Sequence, residues 1–287
     1  MKAVVTGANG FAGRWLCEAL VKQKATVFGW VRARPSKPVP GVRYRVQDIR
    51  DERGCREAMR EDCPDCVFHL AAMTHLADCE QDPLQAQATN VGGTRNVFLG
   101  MPDSARGLFA STCHIYGHPQ GEPICEGHPT SAKGVYAESK LEAEREIERL
   151  GKEVTIARAF HHTGPGQSTR YVLADWASQM RAGQSTIRVG DLALRRDFSD
   201  VRDIVQGYIH LARRSVEPQV YNLCSGVSPT LGELFELLRD GRACQPIQDP
   251  SRVRASDISV FCGDPSLARS VGVGPGRPIQ VTLKEMV

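Results

Sequence analysis

Net charge is nearly absent from this chain: 36 Lys and Arg stand against 33 Asp and Glu, a balance of +3 over 287 residues. A nucleic-acid binder concentrates a basic face, whereas these arginines are spread along the chain, so no nucleic-acid partner is expected. No run of about 18 apolar residues occurs, so neither a membrane-spanning helix nor a membrane partner is expected. The opening MKAVVTG has one lysine and a very short apolar stretch, which is not the pattern of a secretory leader. A cytoplasmic location is the expectation, and with it 10 cysteines that are mostly free thiols. Only one C-x-x-C occurs, Cys63 to Cys66. With no second pair to complete a zinc site, no metal is expected. Cys66 reads as the opening of a buried strand, with Cys63 in the loop before it.

What is present is a hydrophobic fraction of 41%, enough for a large core in one large domain or two lobes. Apolar runs at 2–6, 25–31, 42–46, 66–71, 107–112 and 154–160 read as strands. Helical spacing at 11–23, 90–100 and 135–150 falls between them. Strands alternating with helices predict an α/β fold, a Rossmann-type doubly wound parallel sheet. After residue 160 the character changes. HHTGPGQ (161–167) reads as a loop, 171–183, 201–214 and 230–240 as helices, and 186–190 and 220–226 as strands. The expected division is a dinucleotide-binding domain over 1–160, to which 198–224 returns, and a smaller ligand lobe over 161–287.

Gly7, Gly10 and Gly13 form G-x-x-G-x-x-G directly between a strand and an amphipathic helix. A phosphate needs backbone amides and a helix N-terminus close to it, and side chains would block that approach. The pattern in this context predicts a nicotinamide-dinucleotide turn. A ribose with free hydroxyls is usually met by an acidic residue after the second strand. This chain has Arg32 and Arg34 there, which suit a 2′-phosphate, so NADP(H) is expected over NAD(H).

Tyr136 and Lys140 are four residues apart on the helix at 135–150, which stacks them on one face. An ammonium beside a phenol favours the phenolate and is expected to bring its pKa toward neutrality. Ser111 and Thr112 end the fifth strand, at the carboxyl edge where such sheets bind ligands.

Together Gly7/Gly10/Gly13, HLAAMTH (69–75), NVGGTRN (90–96), STCHIYG (111–117), YAESK (136–140) and RRDFSDVRD (195–203) resemble the extended short-chain dehydrogenase/reductase family of nucleotide-sugar epimerases, dehydratases and reductases. The resemblance covers essentially the whole chain. Within that family, 157–183, 187–208, RASD (254–257) and GDPS (263–266) resemble the GDP-4-dehydro-6-deoxy-mannose reductases. Two positions depart from that pattern: His161 replaces an Asn near the substrate, and Ala159 replaces a Pro.

The resemblance implies a nucleotide-diphosphate sugar as ligand and NADPH-dependent reduction of its C4 ketone. It implies a catalytic Thr112, Tyr136 and Lys140, with Ser111 the second candidate hydroxyl. Tyr136 would donate a proton to the ketone oxygen, and Lys140 would also bind the nicotinamide ribose. Cofactor contacts are implied for Asn9, Phe11, Asp48, Ile49, Leu70, Ala71 and Ala72. Arg196 and Arg254 would meet the diphosphate, with His161, His162 and Gln167 bordering the sugar and base. A homodimer through a four-helix bundle, formed by the 90–100 and 135–150 helices, is also implied.

Dehydratases of the family carry carboxylates just after the Ser/Thr. Cys113 and His114 stand there, which counts against dehydration. His114 reads as a packed histidine, and His69 and His75 as structural. The alternatives are an epimerase or dehydratase of the same family, or a non-catalytic NADP-binding regulator. An intact Thr112/Tyr136/Lys140 trio argues against a regulator.

Overall fold

The computed structural model describes residues 1–119, 121–213, 220–253 and 258–287. The first part runs β1 (Lys2–Thr6), α1 (Phe11–Lys22), β2 (Thr26–Val31), β3 (Val42–Val46), α2 (Glu52–Asp62), β4 (Cys66–His69), α3 (Leu76–Gln81) and α4 (Pro83–Gln87). A π-helical turn, Ala88–Gly92, leads into α5 (Gly93–Gly100), followed by β5 (Arg106–Thr112), α6 (Val135–Leu150) and β6 (Val154–Ala159). The rest runs β7 (His161–Thr163), α7 (Val172–Arg181), β8 (Thr186–Val189), β9 (Arg195–Arg196), β10 (Phe198–Asp200), α8 (Val201–Ala212) and β11 (Val220–Leu223). It ends with α9 (Leu231–Arg239), β12 (Gln245–Gln248), β13 (Val260–Phe261), α10 (Ser266–Ser270) and α11 (Ile279–Lys284).

Seven strands make one parallel sheet in the order β11-β6-β5-β4-β1-β2-β3. Strands β4 and β6 are buried along their whole length, as parallel strands covered on both faces must be. One face packs against α1 and α8 through Leu16, Leu20, Ile204, Val205 and Tyr208. The other packs against α2, α5 and α6 through Met59, Val97, Phe98, Ala143 and Ile147. Strand order reverses between β1 and β4, so their carboxyl ends flank the crevice where such sheets take ligands. A separate core of Leu173, Trp176, Ile187, Leu234, Phe235 and Leu283 holds α7, β8, α9 and α11 together.

Helix α2 has no clear apolar stripe in the sequence, and its buried side is only Cys55, Ala58, Met59 and Asp62. Asp62 is held by the Trp30 indole at 2.8 Å and by Arg45 at 2.9 Å. The helix expected at 90–100 is broken by the π turn, which buries Asn90. Thr230 caps α9 in a reciprocal box with Glu233, as a Thr-x-x-Glu spacing dictates.

Candidate active site

The glycine turn is built so that side chains have no room. Gly7 has φ of +68°, and a Cβ there would stand 2.9 Å from the Ala71 nitrogen. A Cβ on Gly13 would stand 2.1 Å from the Gly7 carbonyl oxygen. The Gly10 N–H donates to that carbonyl at 2.9 Å, closing the turn. Gly10 caps α1 without a side-chain bond, and no acidic residue lies in the first turn. The leading N–H groups of α1, which begins at Phe11, therefore face the crevice with the positive end of the helix dipole. These features fit a dinucleotide pyrophosphate.

The Asn9 amide reaches the Ala33 carbonyl at 3.5 Å, tying the turn to the end of β2. Arg32 and Arg34 are exposed beyond that strand. Asp48 is clamped by Arg50, whose bonds hold its carboxyl below the usual range, with Arg32 adding a smaller pull. Ile49 is buried against Gly93, and Asn96 donates to its carbonyl at 3.1 Å.

After β4 the Leu70 and Ala71 N–H groups donate to Thr6 Oγ1 at 3.2 and 3.1 Å. With both acceptor sites filled, the Thr6 hydroxyl donates to His69 Nδ1 at 2.7 Å. His69 Nε2–H then donates to Thr94 at 3.0 Å, and Thr94 donates to the Asn90 carbonyl at 2.6 Å. Asn90 donates to Ser139 at 2.9 Å, and Ser139 donates to the Tyr136 carbonyl at 2.8 Å. An unbroken chain thus runs from β1 to the first turn of α6. Burial, with the Lys140 charge adding to it, pulls His69 down to about 3, which keeps it neutral. Thr6, Asn90, Thr94 and Ser139 were not singled out from the sequence. Three lie in quoted motifs, and only the fold reveals that they touch. Ala72 follows the β4 turn, partly buried.

Thr112, Tyr136 and Lys140 converge at the carboxyl end of β5. Thr112 Oγ1 accepts the His114 N–H at 3.3 Å, and its hydroxyl stands beside the Tyr136 phenol, whose pKa it draws down. Lys140 is buried; its Nζ donates to the Ala110 carbonyl at 2.6 Å and lies 3.8 Å over the Phe109 ring. Burial pulls this ammonium down to about 7, opposed by the Glu144 carboxylate. One expectation is reversed. Burial pushes the Tyr136 phenol well up, offset in part by the Thr112 bond, and Lys140 spends itself on Ala110.

Successive strand residues face opposite sides, and this separates the two hydroxyls. The Ser111 hydroxyl donates to the buried Glu144 carboxylate and not into the crevice. Glu144 also takes Arg158 Nη2 at 2.7 Å, and Arg158 donates to the Tyr116 hydroxyl at 3.0 Å. Tyr116 in turn donates to Asn222 on β11 at 2.8 Å. Ser111 therefore serves this buried network.

The second half of the site is assembled from short pieces. β7 pairs with β10, and β9 with β13, each over two or three residues. His114 stands 6.1 Å from the Tyr136 ring and 5.5 Å from His161, ring to ring. His161 also meets Phe198 at 5.4 Å and Phe261 at 6.0 Å. Its Nδ1 is buried with no hydrogen-bond partner among the described residues. Burial foremost, then the nearby His114 and Arg196, push His161 well below the ordinary range. His162 stacks on Phe11 at 6.2 Å and donates to the Phe160 carbonyl at 3.1 Å. Gln167 braces its own loop, donating to the His162 carbonyl at 3.0 Å and accepting from Thr163 at 2.7 Å. Arg196 Nη1 donates to the Arg195 and Ile258 carbonyls at 2.8 and 2.7 Å. Arg254 lies outside the described residues. Arg170, unmarked by any sequence motif, grips Asp78 and His75 at 2.6 and 2.7 Å, joining the loop before α7 to α3.

Residues 3–224 match the model of the NAD dependent epimerase/dehydratase family. The chain is 33% identical over 271 residues to the GDP-6-deoxy-D-mannose reductase of Pseudomonas aeruginosa, spanning 88% of this chain and 84% of that protein. The structure of RMD from Pseudomonas aeruginosa complexed with NADPH superposes with a TM-score of 0.84 at 29% identity, covering 99% of this chain and 95% of that one. The UDP-glucose 4-epimerase of Thermotoga maritima with UDP-glucose superposes with a TM-score of 0.92 at 25% identity, over 100% and 97% of the two chains. On the sheet order, the glycine turn, the Tyr136–Lys140 pair and these matches, the chain belongs to the NAD dependent epimerase/dehydratase family, the extended short-chain dehydrogenases/reductases.

Proposed function

We propose that this chain is a 4-ketoreductase: it reduces the C4 ketone of a nucleotide-diphosphate 4-keto-6-deoxyhexose, a GDP-linked mannose derivative being the first candidate, with NADPH. The observation that carries this reading is the convergence of Thr112 and Tyr136 beside a crevice with no carboxylate at positions 113 and 114. Family dehydratases carry carboxylates there; here Cys113 is buried, with its thiol pushed up by burial, and His114 packs against the Tyr136 and His161 rings. The resemblance to the Pseudomonas reductase supports the substrate class.

When bound, a reduced nicotinamide supplies the hydride. The glycine turn and the α1 N-terminus would hold its pyrophosphate, and Arg32 and Arg34 would meet a 2′-phosphate. Thr112 aligns the ketone oxygen and Tyr136 donates its proton to that oxygen as the alkoxide forms. A phenol that burial keeps protonated suits a donor. Lys140, one turn further along α6, is assigned to the nicotinamide ribose. Holding the ketone fixed against the donor supplies much of the rate. Residues beyond 160 serve as the nucleotide-sugar lobe, with 198–224 returning to the sheet. His161, His162 and Arg196 line it, and Arg254 is assigned to the diphosphate. A cytoplasmic homodimer completes the reading. The outer face of α6, where Arg149 pairs with Glu142 at 2.8 Å, would meet its copy.

The test is to mix the protein with NADPH and a panel of nucleotide 4-keto-6-deoxy sugars and follow the nicotinamide absorbance. Loss of absorbance with at least one sugar is expected; none with any of them overturns the reading. A second reading, C4 epimerisation, has support in the likeness to the Thermotoga epimerase. It would leave the nicotinamide absorbance unchanged while inverting the sugar.

A further inference from the structure

Tyr136, Lys140 and Glu144 stand at i, i+4 and i+8 on α6, so they share one helical face. Lys140 and Glu144 are both about 3% exposed. The charged or titratable groups around Lys140 can be named element by element. Its own helix offers Tyr136 and Glu144. Strand β4 offers His69, held neutral by burial and by the Lys140 charge itself. Strand β5 offers only the Ala110 carbonyl and the Phe109 ring. Strand β6 offers Arg158, a cation, behind Glu144. Among the described residues Glu144 is the one anion whose charge acts on Lys140, from one turn along the same helical face.

An ammonium with no counter-charge at such depth would shed its proton. The packing role of a buried Glu–Arg pair can be filled by apolar residues of similar volume, often without loss of stability. A carboxylate is needed only where its charge acts. Here it is pinned by Ser111 and Arg158, one turn from the lysine.

We propose that Glu144 is a positioning residue for Lys140: its fixed carboxylate, one turn along the same face, favours the ammonium form that sits on the Ala110 carbonyl. This rests on the reading that Lys140 belongs to the reductive site, and it makes Glu144 the group that sets the alkaline limit of that site. Removing the carboxylate lets the ammonium lose its proton at lower pH. Activity then disappears at lower pH, while acid-side activity is spared.

The test titrates Lys140 Nζ by NMR in the intact protein with 15N-labelled lysine and no cofactor added. The signal is assigned by its loss in Lys140→Arg. Glu144→Gln is expected to lower the midpoint by roughly one pH unit or more. The alkaline limb of kcat/KM should fall by a similar amount, and Glu144→Asp should restore most of the shift. Glu144→Gln leaves a buried guanidinium unpaired. The double variant Glu144→Gln/Arg158→Gln removes both charges and decides the matter if the single variant does not fold. Its midpoint should also fall, because the lost carboxylate is the nearer charge. An unchanged Nζ midpoint in the folded variants overturns the proposal. The titration needs no substrate, so a missing NADPH oxidation would sink the reductase reading and leave this inference standing.

Discussion

The two halves of the crevice are built in opposite ways. On the cofactor side, the groups from Thr6 to Tyr136 donate and accept in one continuous chain. Its glycines are fixed by contacts that a Cβ could not share. On the sugar side, two- and three-residue strands carry the walls, and His161 Nδ1 is buried without a partner. A satisfied half is rigid before any ligand arrives. A buried polar atom left open is a standing cost that a ligand can relieve. On the proposed function, the common chemistry belongs to the first half and substrate choice to the second.

The largest effect expected to sharpen this contrast is at the proposed proton donor. Tyr136→Phe should lower kcat by about 10²–10⁴-fold, with NADPH affinity, read by fluorescence titration, nearly unchanged. Equal turnover by mutant and wild type would sink the enzyme reading. Next, Gly13→Ala places a Cβ 2.1 Å from a backbone oxygen. It should weaken NADPH binding by at least about tenfold by shifting the amides that face the phosphates. Arg32→Ala with Arg34→Ala should raise the Kd for NADPH by about tenfold and leave that for NADH within about twofold. Equal losses for both cofactors would remove the 2′-phosphate assignment.

Two stability measurements then compare the halves directly. Asn90→Ala breaks the continuous chain and should cost about 1–3 kcal/mol in denaturant melts. His161→Asn removes an orphaned ring nitrogen and should cost less, while changing the ratio of kcat/KM between two nucleotide sugars. If His161→Asn proves the costlier of the two, the contrast is wrong.

The effect that is smallest at neutral pH is a pH dependence. His69 titrates near 6.5 when unfolded and at about 3 when folded. A depressed histidine contributes stability above pH 6.5, and that stability is lost as pH falls from 6.5 toward 3. His69→Asn should flatten that part of the stability–pH curve.

The same contrast explains what could be read from the sequence. The glycine turn, the long buried strands and the Tyr136–Lys140 helix are local patterns: each is fixed by residues a few positions apart. The geometry of the glycine turn was therefore legible, and the doubly wound sheet with it. Helix α2 was missed because its buried stripe is made of Cys55, Ala58 and Met59 amid charges. The break at Asn90 was missed because a π turn preserves helical spacing on either side. In the sugar half, β7 and β10 lie far apart in sequence and meet over three residues, too few to leave a period. The Ser111–Glu144–Arg158 network joins two strands and a helix, so Ser111 and Thr112 looked interchangeable until their faces were known.

The central claim is net hydride transfer to C4. Its most direct measurement is the mass of the product formed from a nucleotide 4-keto-6-deoxy sugar and NADPH carrying deuterium at the transferred position. The account predicts one deuterium per product molecule, located at C4 of the sugar, with one NADPH consumed. A sugar altered at C4 without deuterium or NADPH consumption would contradict it.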